Sequence, residues 1–395
     1  MDRIYSTLPV LSSHKAWAEV SADALRENYR FLLSRVREKS PNARLIAVVK
    51  ADGYCHSNEI CVPSFLDAGC DFFAVSSVEE ALAVREIASR YSKHPDVLVL
   101  GYTLPSEADV LARYDIIQAL VSYEYAEALS RCATDAGVTV RTHVKVDTGM
   151  NRVGFSAHSD EEIAASVDQI ERAVRLPAVK AEGIFSHFAR ADEDLSCDPE
   201  KDLNRIQLER FLSVDSALRA QGIALMRHIC NGVAAVRFSS EYILDGVRFG
   251  LPLYGTGLPE YTKELRPALK LKTVIGHLHP LLAGEGVGYG STYRSDTPRV
   301  LATLPIGYAD GFLRAYRDGK VIVHTKNGDV SARLVGRICM DQCMIDVTGL
   351  DVSVGDTVTL IGGDSQNTLE IATRGRTIEH ELFCLISARI PRIPV

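Results

Sequence analysis

The amino-acid sequence predicts an α/β protein, with an N-terminal (β/α)8 barrel of the TIM type followed by a mostly antiparallel β domain. Its 395 residues, 46% of them hydrophobic, suit two buried cores better than one. Short β-branched runs alternate with helix-like stretches as far as residue 250. After residue 256 the pattern changes to two-residue alternation between turn residues, which is typical of antiparallel strands.

Eight apolar runs predict the strands of the barrel. Runs of this kind, bounded by turn residues and separated by helical patterns, are typical of parallel strands buried on both faces. A capping box from Ser77 to Glu80 predicts the start of one intervening helix. The runs occupy residues 44–50, 72–77, 97–101, 118–122, 142–148, 182–188, 228–231 and 246–250. Eight βα units over roughly 200 residues favour a closed barrel over an open sheet.

The change of pattern sets the predicted domain limits. We expect the barrel to occupy residues 1–255 and the β domain residues 256–395. About the first 13 residues are expected to pack on the β domain.

Composition excludes several classes of protein. A net charge of -7 and a pI near 5.9 disfavour binding to nucleic acid, which needs clustered Lys and Arg. No uncharged apolar run reaches the roughly 18 residues that a membrane span requires, and the N-terminus lacks an apolar signal segment. Nine scattered cysteines without a CxxC pair suggest neither zinc nor disulfides. We therefore expect a cytoplasmic protein with reduced thiols.

Polar residues at the predicted strand ends form a candidate site, because barrel enzymes place catalytic groups at the C-terminal ends of their strands. Lys50 stands out, since partial desolvation favours the neutral amine that Schiff-base chemistry needs. The alternative is a lysine that reaches solvent or pairs with Asp52. The same rim is predicted to carry Lys50, Lys145, Arg152, His187, Asn231 and Arg248.

The segment after the eighth strand predicts a phosphate site. Backbone N–H groups at this position commonly bind phosphate in barrels, and Gly250 and Leu251 are the natural donors here. A lysine after strand one and a phosphate site after strand eight are adjacent in a closed barrel. Together they suggest pyridoxal phosphate, which needs a covalent anchor and a phosphate site.

The chain also resembles the alanine racemase family of fold-type III pyridoxal-phosphate enzymes. The resemblance covers nearly the whole chain in nine ordered blocks, a far more specific signal than any single block. The blocks are VVKADGYCHS, HVKVDTGMNRVGF, EGIFSHFARADE, HICNGVAA, VRFGLPLYG, GVGYGSTY, LPIGYADGF, VGRICMDQCMIDVT and ISARIPR. The family implies a homodimer in which the β domain of one subunit completes the partner's active site, and a role in supplying D-alanine for peptidoglycan.

By resemblance, two residues act as the bases. Lys50 resembles the lysine that bonds to the cofactor and serves as one base, and Tyr289 resembles the opposite base, delivered from the other subunit. Racemisation needs such a pair, because a proton leaves one face of Cα and another arrives on the opposite face. A phenol needs cationic neighbours to act as a base. Without the resemblance, Tyr289 would be interpreted as a core or turn aromatic.

Four further residues match positions around the cofactor ring. Arg248 resembles the arginine facing the pyridine nitrogen, where a donor-only group leaves that nitrogen unprotonated; a structural ion pair is the alternative. His187 resembles the histidine that packs on the ring and links the tyrosine to the arginine. Arg152 resembles the arginine that contacts the phenolic oxygen and the substrate carboxylate. Lys145 falls where many members carry a carbamylated lysine that orients this arginine.

The remaining matches concern binding. Tyr54 resembles a phosphate ligand, and Tyr308 and Met340 match positions where the partner subunit closes the substrate entrance. Asp341 lies beside them and is expected to support the tyrosines. The cofactor-binding blocks also include Asn231, Gly250, Leu251 and Tyr254.

Four departures from the family pattern surround the phosphate and the side-chain pocket. Gly232 stands in place of a phosphate-binding serine, leaving only its backbone N–H, and Phe249 in place of a proline. Cys55 replaces a glycine. His380 replaces a tyrosine normally close to phosphate and substrate. The acid–base pair is unaffected, so the reaction type is better supported than the substrate.

Several functions therefore stay open beside the preferred alanine racemase. A serine or broad-specificity racemase of the same family would fit the altered pocket. A fold-type III decarboxylase is expected to place an acidic group where this chain has Arg248, and a noncatalytic pyridoxal-phosphate carrier usually ends after the barrel. His277 and His279 lack a third ligand, so no metal site is predicted.

Overall fold

The computed structural model describes residues 14–193, 202–261, 263–362 and 368–395. Its contacts define two compact units, Ala22–Arg266 and the described part of Met1–Ser21 together with Pro267–Val395. The predicted fold class is confirmed: the first unit contains a parallel eight-stranded barrel and the second a mostly antiparallel sheet. The domain limits at residues 255 and 256 remain predictions. The predicted packing of the first 13 residues lies outside the described residues.

The strands follow the apolar runs closely. Those of the first half are β1 Ala16–Val20, β2 Arg44–Val48, β3 Phe72–Val75, β4 Asp96–Val99, β5 Ile117–Leu120, β6 Val140–Asp147, β7 Phe155–Ser156, β8 Val179–Phe185, β9 Met226–His228 and β10 Gly246–Phe249. Those of the second half are β11 Leu269–Val274, β12 His277–Leu281, β13 Gly286–Val287, β14 Tyr293–Arg294, β15 Arg299–Leu304, β16 Lys320–Thr325, β17 Gly328–Val335, β18 Cys343–Asp346, β19 Thr357–Ile361 and β20 Arg392–Pro394.

Eight of these strands close into the barrel. They pair in parallel in the order β10-β2-β3-β4-β5-β6-β8-β9. A bridge between Asn231 and Arg248, and a backbone hydrogen bond of 2.9 Å from Asp245 to Arg227, join the last strand to the one before it. Continuous burial along strands such as β3 and β5 explains their uninterrupted apolar sequences.

Helices alternate with the barrel strands, and side-chain caps begin several of them. They are α1 Ala22–Lys39, α2 Asn58–Asp67, α3 Val78–Arg90, α4 Ala108–Arg113, α5 Tyr123–Asp135, α6 Asp160–Val174, α7 Leu203–Ala220 and α8 Gly232–Arg237, with α9 Thr368–Arg374 and α10 Glu379–Cys384 in the second unit. Ser77, Ser122 and Ser159 each accept a hydrogen bond from the backbone N–H three residues later, so each satisfies a free donor of a first turn.

The second unit is built on a nine-stranded sheet. Its order is β12-β15-β18-β17-β16-β19-β11-β1-β20, antiparallel except where β1 pairs with β20. The early strand β1 was not predicted as part of this sheet, although its residues alternate between buried and half-buried positions. Within the described residues, no helix combines the length and apolarity needed to cross a bilayer.

Candidate active site

The C-terminal ends of the barrel strands bring the predicted polar residues together. Lys50 follows β2, Lys145 lies in β6, His187 follows β8 and Arg248 lies in β10. Burial lowers the pKa of His187 well below its ordinary value, and the charges of Arg248, Arg152, Lys145 and Lys50 lower it further. The five side chains are therefore neighbours at one mouth of the barrel.

The residues after Lys50 form a turn of left-handed helix. Their φ angles lie between 51° and 63° from Ala51 to Cys55, and Gly53 is the one glycine among them. A left-handed conformation costs a residue with a side chain roughly 1–2 kcal/mol. Cys55, which stands in place of the family's glycine, therefore adds strain. Backbone strain beside a reactive group indicates that the shape of the turn matters to the site.

Tyr54 lies in this turn and packs beside the segment that follows the last barrel strand. Its ring centroid is 5.1 Å from that of Tyr254, whose hydroxyl donates to the Val48 carbonyl at 3.1 Å. A Cβ at Gly250 would lie 2.4 Å from the hydroxyl oxygen of Tyr54. Only glycine leaves room for this phenol. The Tyr54 hydroxyl therefore lies against the backbone at Gly250, in the segment where the sequence predicts a phosphate site.

Two of the departures from the family pattern fit each other. Asn231 caps α8 by accepting a hydrogen bond of 2.9 Å from the Ala234 N–H. A Cβ at Gly232 would lie 2.8 Å from the ring carbon Cδ1 of Phe249. The Phe249 ring therefore occupies space that a serine at position 232 would need. The loss of the serine hydroxyl and the gain of the aromatic ring are coupled.

Arg248 is a buried guanidinium that donates to neutral acceptors. Its Nη1 donates to Nδ1 of His228 at 2.8 Å and to the same residue's carbonyl at 2.9 Å. Its Nη2 donates to the carbonyls of Ser186 and Ile229 and, at 3.1 Å, to Nδ1 of His187. Burial lowers its pKa to about 10. In the described part of the chain no carboxylate pairs with it, so the described contacts give no support to the alternative of a structural ion pair.

Two buried histidines support Arg248 from within the barrel. Because a guanidinium can only donate, Nδ1 of His228 accepts and its Nε2 carries the proton. That Nε2 lies 2.9 Å from Nδ1 of His143, which therefore accepts in turn. Burial lowers the pKa of His143 to about 3 and that of His228 well below its ordinary value, so both rings are neutral. A Cβ at Gly183 would lie 2.4 Å from the His143 ring, so this strand glycine makes room for it.

Asp147 orders the loop that carries Arg152. Its Oδ1 accepts from the N–H groups of Gly149, Met150 and Asn151 at 2.9–3.0 Å, and its Oδ2 accepts from the Arg152 N–H at 2.8 Å. Burial opposes the charge, but these backbone donors and Lys145 hold the pKa of this carboxyl at about 2, below its ordinary 3.8. The carboxylate therefore fixes the position of the Arg152 backbone at the rim of the barrel.

We expect Asp147→Asn to lower the free energy of unfolding at pH 7 by about 2 kcal/mol. A carboxyl whose pKa is lowered on folding contributes stability that is present above its unfolded pKa and is lost as pH falls through its folded pKa. The deficit should therefore be constant from pH 7 to 5 and shrink between about pH 4 and 2. Urea titrations across this range test the prediction, with the exposed Asp168→Asn as control. A deficit that does not change with pH would contradict it.

Lys145 lies inside the barrel without a carboxylate hydrogen bond among the described contacts. Its Nζ donates to the Val146 carbonyl at 2.7 Å and lies 5.7 Å from the Phe185 ring centroid. Burial lowers its pKa to about 7, against the attraction of Asp147. A large fraction of the amine is then neutral at pH 7, and the neutral amine is the form that reacts with carbon dioxide. Carbamylation of Lys145 remains a prediction.

The second unit carries its own cluster of predicted site residues. A cavity of about 780 Å³ is lined by Tyr289, Met340 and Asp341, among others. The Tyr289 side chain is 70% exposed and Met340 is 54% exposed. Tyr308 is tied to this region, because its N–H donates to the Cys339 carbonyl at 3.1 Å and the next residue's N–H donates to the Met340 carbonyl.

Further predictions concern three places in the second unit: Asp341, His380, and the pair His277 and His279. Asp341 pairs with Arg389 at 3.0 Å, so the structure gives it an arginine partner. His380 lies in α10 and is exposed. His277 and His279 stack at 5.5 Å between ring centroids. Over the described ranges, no cluster of three or more His, Cys, Asp or Glu side chains is arranged to hold a metal.

Sequence reasoning missed three residues that support the barrel site, His143, Asp147 and His228, and it assigned Glu80 only to a helix cap. His143, Lys145 and Asp147 are two residues apart along β6, and the two-residue period of a strand places such side chains on one face. This spacing could have identified them. Of the two hydrogen bonds that define the predicted capping box, one is present. Ser77 accepts from the Glu80 N–H at 3.4 Å, but the Glu80 carboxylate bonds to Ser76 and Ala51 and not to the Ser77 N–H.

Comparison with known proteins gives a consistent result over nearly the whole chain. Residues 20–257 match the family described as alanine racemase, N-terminal domain, and residues 268–394 match alanine racemase, C-terminal domain. An alanine racemase of Clostridium novyi is 37% identical over 388 residues, covering 95% of this chain and 94% of the relative. One of Methanococcus maripaludis is 35% identical over 390 residues, covering 96% and 99%.

Solved structures agree. An alanine racemase of Clostridium difficile superposes with a TM-score of 0.86 at 32% identity, covering 98% of this chain and 97% of that one. The alanine racemase of Bacillus anthracis with bound L-Ala-P superposes with a TM-score of 0.83 at 31% identity, covering 98% and 96%.

Proposed function

Because this chain belongs to the alanine racemase family, we propose that it interconverts L- and D-alanine, with pyridoxal 5'-phosphate as cofactor and two bases on opposite faces of the substrate. The protein is an isomerase of the racemase class. Alanine as the substrate, the named cofactor and the homodimer are parts of the proposal.

The barrel residues fit the cofactor. The cradle of Tyr54, Gly250 and Leu251 would hold its phosphate, and Lys50 would carry it covalently at the adjacent strand end. When bound, pyridoxal phosphate would hold the substrate amine and delocalise the charge left when Cα loses its proton. Asn231 and Gly232, at the start of α8, would face the phosphate with backbone donors only. His187 and Tyr254 would pack around the ring and the turn.

The observation that carries the proposal is the surroundings of Arg248. All its described acceptors are carbonyls or neutral imidazoles, so its charge and its donor character are fixed. When the cofactor is bound, a donor of this kind would leave its ring nitrogen unprotonated and so weaken its capacity to draw charge from Cα. Arg248 would in this way favour return of a proton to Cα over side reactions. A decarboxylase would be expected to present an acid at this position.

Inversion at Cα requires that a proton leave one face and that another proton arrive on the opposite face. Lys50 would act on one face and Tyr289 of the partner subunit on the other, since both faces must be served for the configuration to invert. The high exposure of Tyr289 and Met340 on their own unit supports a second subunit that covers them. Tyr308 and Met340 would close the substrate entrance, with Asp341 and its partner Arg389 beside them.

The substrate carboxylate would be held by Arg152. The Arg152 N–H donates to the Asp147 carboxylate, and this hydrogen bond fixes the backbone that carries the arginine. Lys145, if carbamylated, would carry a negative charge and attract Arg152, whereas its protonated amine repels that arginine. Carbon NMR of the folded protein equilibrated with isotope-labelled bicarbonate would detect the modification as a carbamate signal that Lys145→Ala removes.

Turnover across amino acids tests the proposed function. We expect L-alanine in deuterated water to gain deuterium at Cα and to invert, and serine and larger amino acids to react more slowly. Release of carbon dioxide would instead indicate a decarboxylase, and absence of any turnover a carrier. Inversion of serine faster than alanine would identify a serine or broad-specificity racemase. His380→Tyr, which restores the family's residue, should sharpen the preference for alanine if residue 380 shapes the pocket.

A further inference from the structure

Two groups hold the left-handed turn after Lys50, one from its own segment and one from the next βα unit. Within the segment, the Asn58 N–H donates to Oδ1 of Asp52 at 2.6 Å, and the Asn58 side chain donates to the carbonyl of Val49, before Lys50, at 3.1 Å. The second contact is made to Ala51, the residue after Lys50. Its N–H donates to Oε1 of Glu80 at 2.6 Å, 29 residues away along the chain.

Glu80 connects this turn to the end of the next barrel strand. Its second oxygen, Oε2, accepts from the N–H and the hydroxyl of Ser76 at 2.8 and 2.9 Å. Ser76 directly follows β3, so one carboxylate joins the loops after two adjacent strands. Hydrogen bonds to a charged acceptor are stronger than neutral ones. The bridge therefore fixes the backbone next to Lys50 relative to the barrel wall.

The position of Glu80 in its helix indicates that this bridge has a function. In a capping box, the glutamate at this position would bond to the N–H of the cap residue, Ser77. Here the carboxylate bonds instead to Ser76 and to Ala51, in the loops after the adjacent strands β3 and β2. A glutamate with only a helix-capping function would not need to reach Ala51.

We infer that Glu80 is a positioning residue for Lys50. It holds the first residue of the strained turn, and so fixes the direction from which the Lys50 amine reaches the cofactor. The inference rests on the proposed function, because it assigns Glu80 to the same site. It predicts that removal of the carboxylate loosens the turn and slows covalent capture of pyridoxal phosphate while the barrel stays folded.

A matched pair of variants tests this inference. Glu80→Gln and Glu79→Gln each remove one negative charge from the first turn of α3, but Glu79 is exposed and bonds to Ser77. Glu80→Ala removes the acceptor entirely. Three readouts are needed: hydrogen exchange of the Ala51 amide in the cofactor-free protein, the rate at which borohydride-trappable pyridoxal phosphate forms on Lys50, and the thermal unfolding midpoint.

We expect Ala51 exchange to rise, and the rate of capture at Lys50 to fall, each by on the order of tenfold in Glu80→Ala. Glu80→Gln should give smaller changes of the same sign, and Glu79→Gln should behave as wild type. Unchanged Ala51 exchange, or faster exchange with unaltered capture, would overturn the inference. A fall in capture matched by a large loss of thermal stability would also overturn it, since the role would then be structural. If the wild type fails to capture pyridoxal phosphate at all, the proposed function fails, and Ala51 exchange still tests the bridge.

Discussion

Replacing Tyr289 with phenylalanine is expected to lower the rate of alanine racemisation by between about a hundredfold and ten-thousandfold, the usual contribution of a general acid or base. The ring and its packing are kept and only the hydroxyl is lost. In deuterated water the variant should exchange the Cα hydrogen of one enantiomer without inversion, because the remaining base can remove and return a proton on its own face. Chiral analysis with mass detection measures both quantities.

Tyr293→Phe is the matched control. Tyr293 lies in the same unit, and its hydroxyl is engaged in a hydrogen bond of 3.3 Å to Oδ2 of Asp346. We expect this variant to racemise normally. Equal loss of exchange for both enantiomers in Tyr289→Phe would mean that the hydroxyl organises the site and does not act as one of the two bases.

Replacing Lys50 with alanine is expected to abolish racemisation, since it removes both one base and the covalent anchor of the cofactor. Pyridoxal phosphate should still bind through the cradle around Gly250, so borohydride should no longer attach it to the protein while equilibrium dialysis still detects binding. A small added amine should restore part of the activity, because it can replace the missing base.

Lys93→Ala, a change of an exposed lysine, controls for altered surface charge. The assignment of Lys50 would be overturned if Lys50→Ala still attached pyridoxal phosphate covalently under borohydride. It would also be overturned by full activity in the absence of added amine. Either result would require another lysine at the barrel mouth, and Lys145 would be the first to test.

Much of the fold could be predicted because its causes are local. Strands β3 and β5 are buried along their whole length, so their sequences must be apolar without interruption. Turn residues between such runs mark the connections. For the same reason the strand ends could be located, and with them Lys50 and Arg248, since polar residues at the end of an apolar run stand out in one dimension.

The early strand β1 shows where that reasoning stops. Its five residues alternate as a half-buried strand should, but the sheet that it joins consists of segments more than 240 residues later, which no local pattern reveals. The assignment of β1 to the second unit depends on pairing with β11 and β20.

The sequence by itself determined the barrel, the β domain and the chemical types of the groups at the strand ends, because burial and periodicity act on neighbouring residues. Only the tertiary structure decided how those groups are held. His143 supports Arg248 through His228, 85 residues away, and Glu80 reaches Ala51, 29 residues away, in the loop after the adjacent strand. Gly232 and Phe249 are compatible because the Phe249 ring occupies the space that a side chain at position 232 would need. These contacts form only when the barrel closes and brings distant strand ends to one rim.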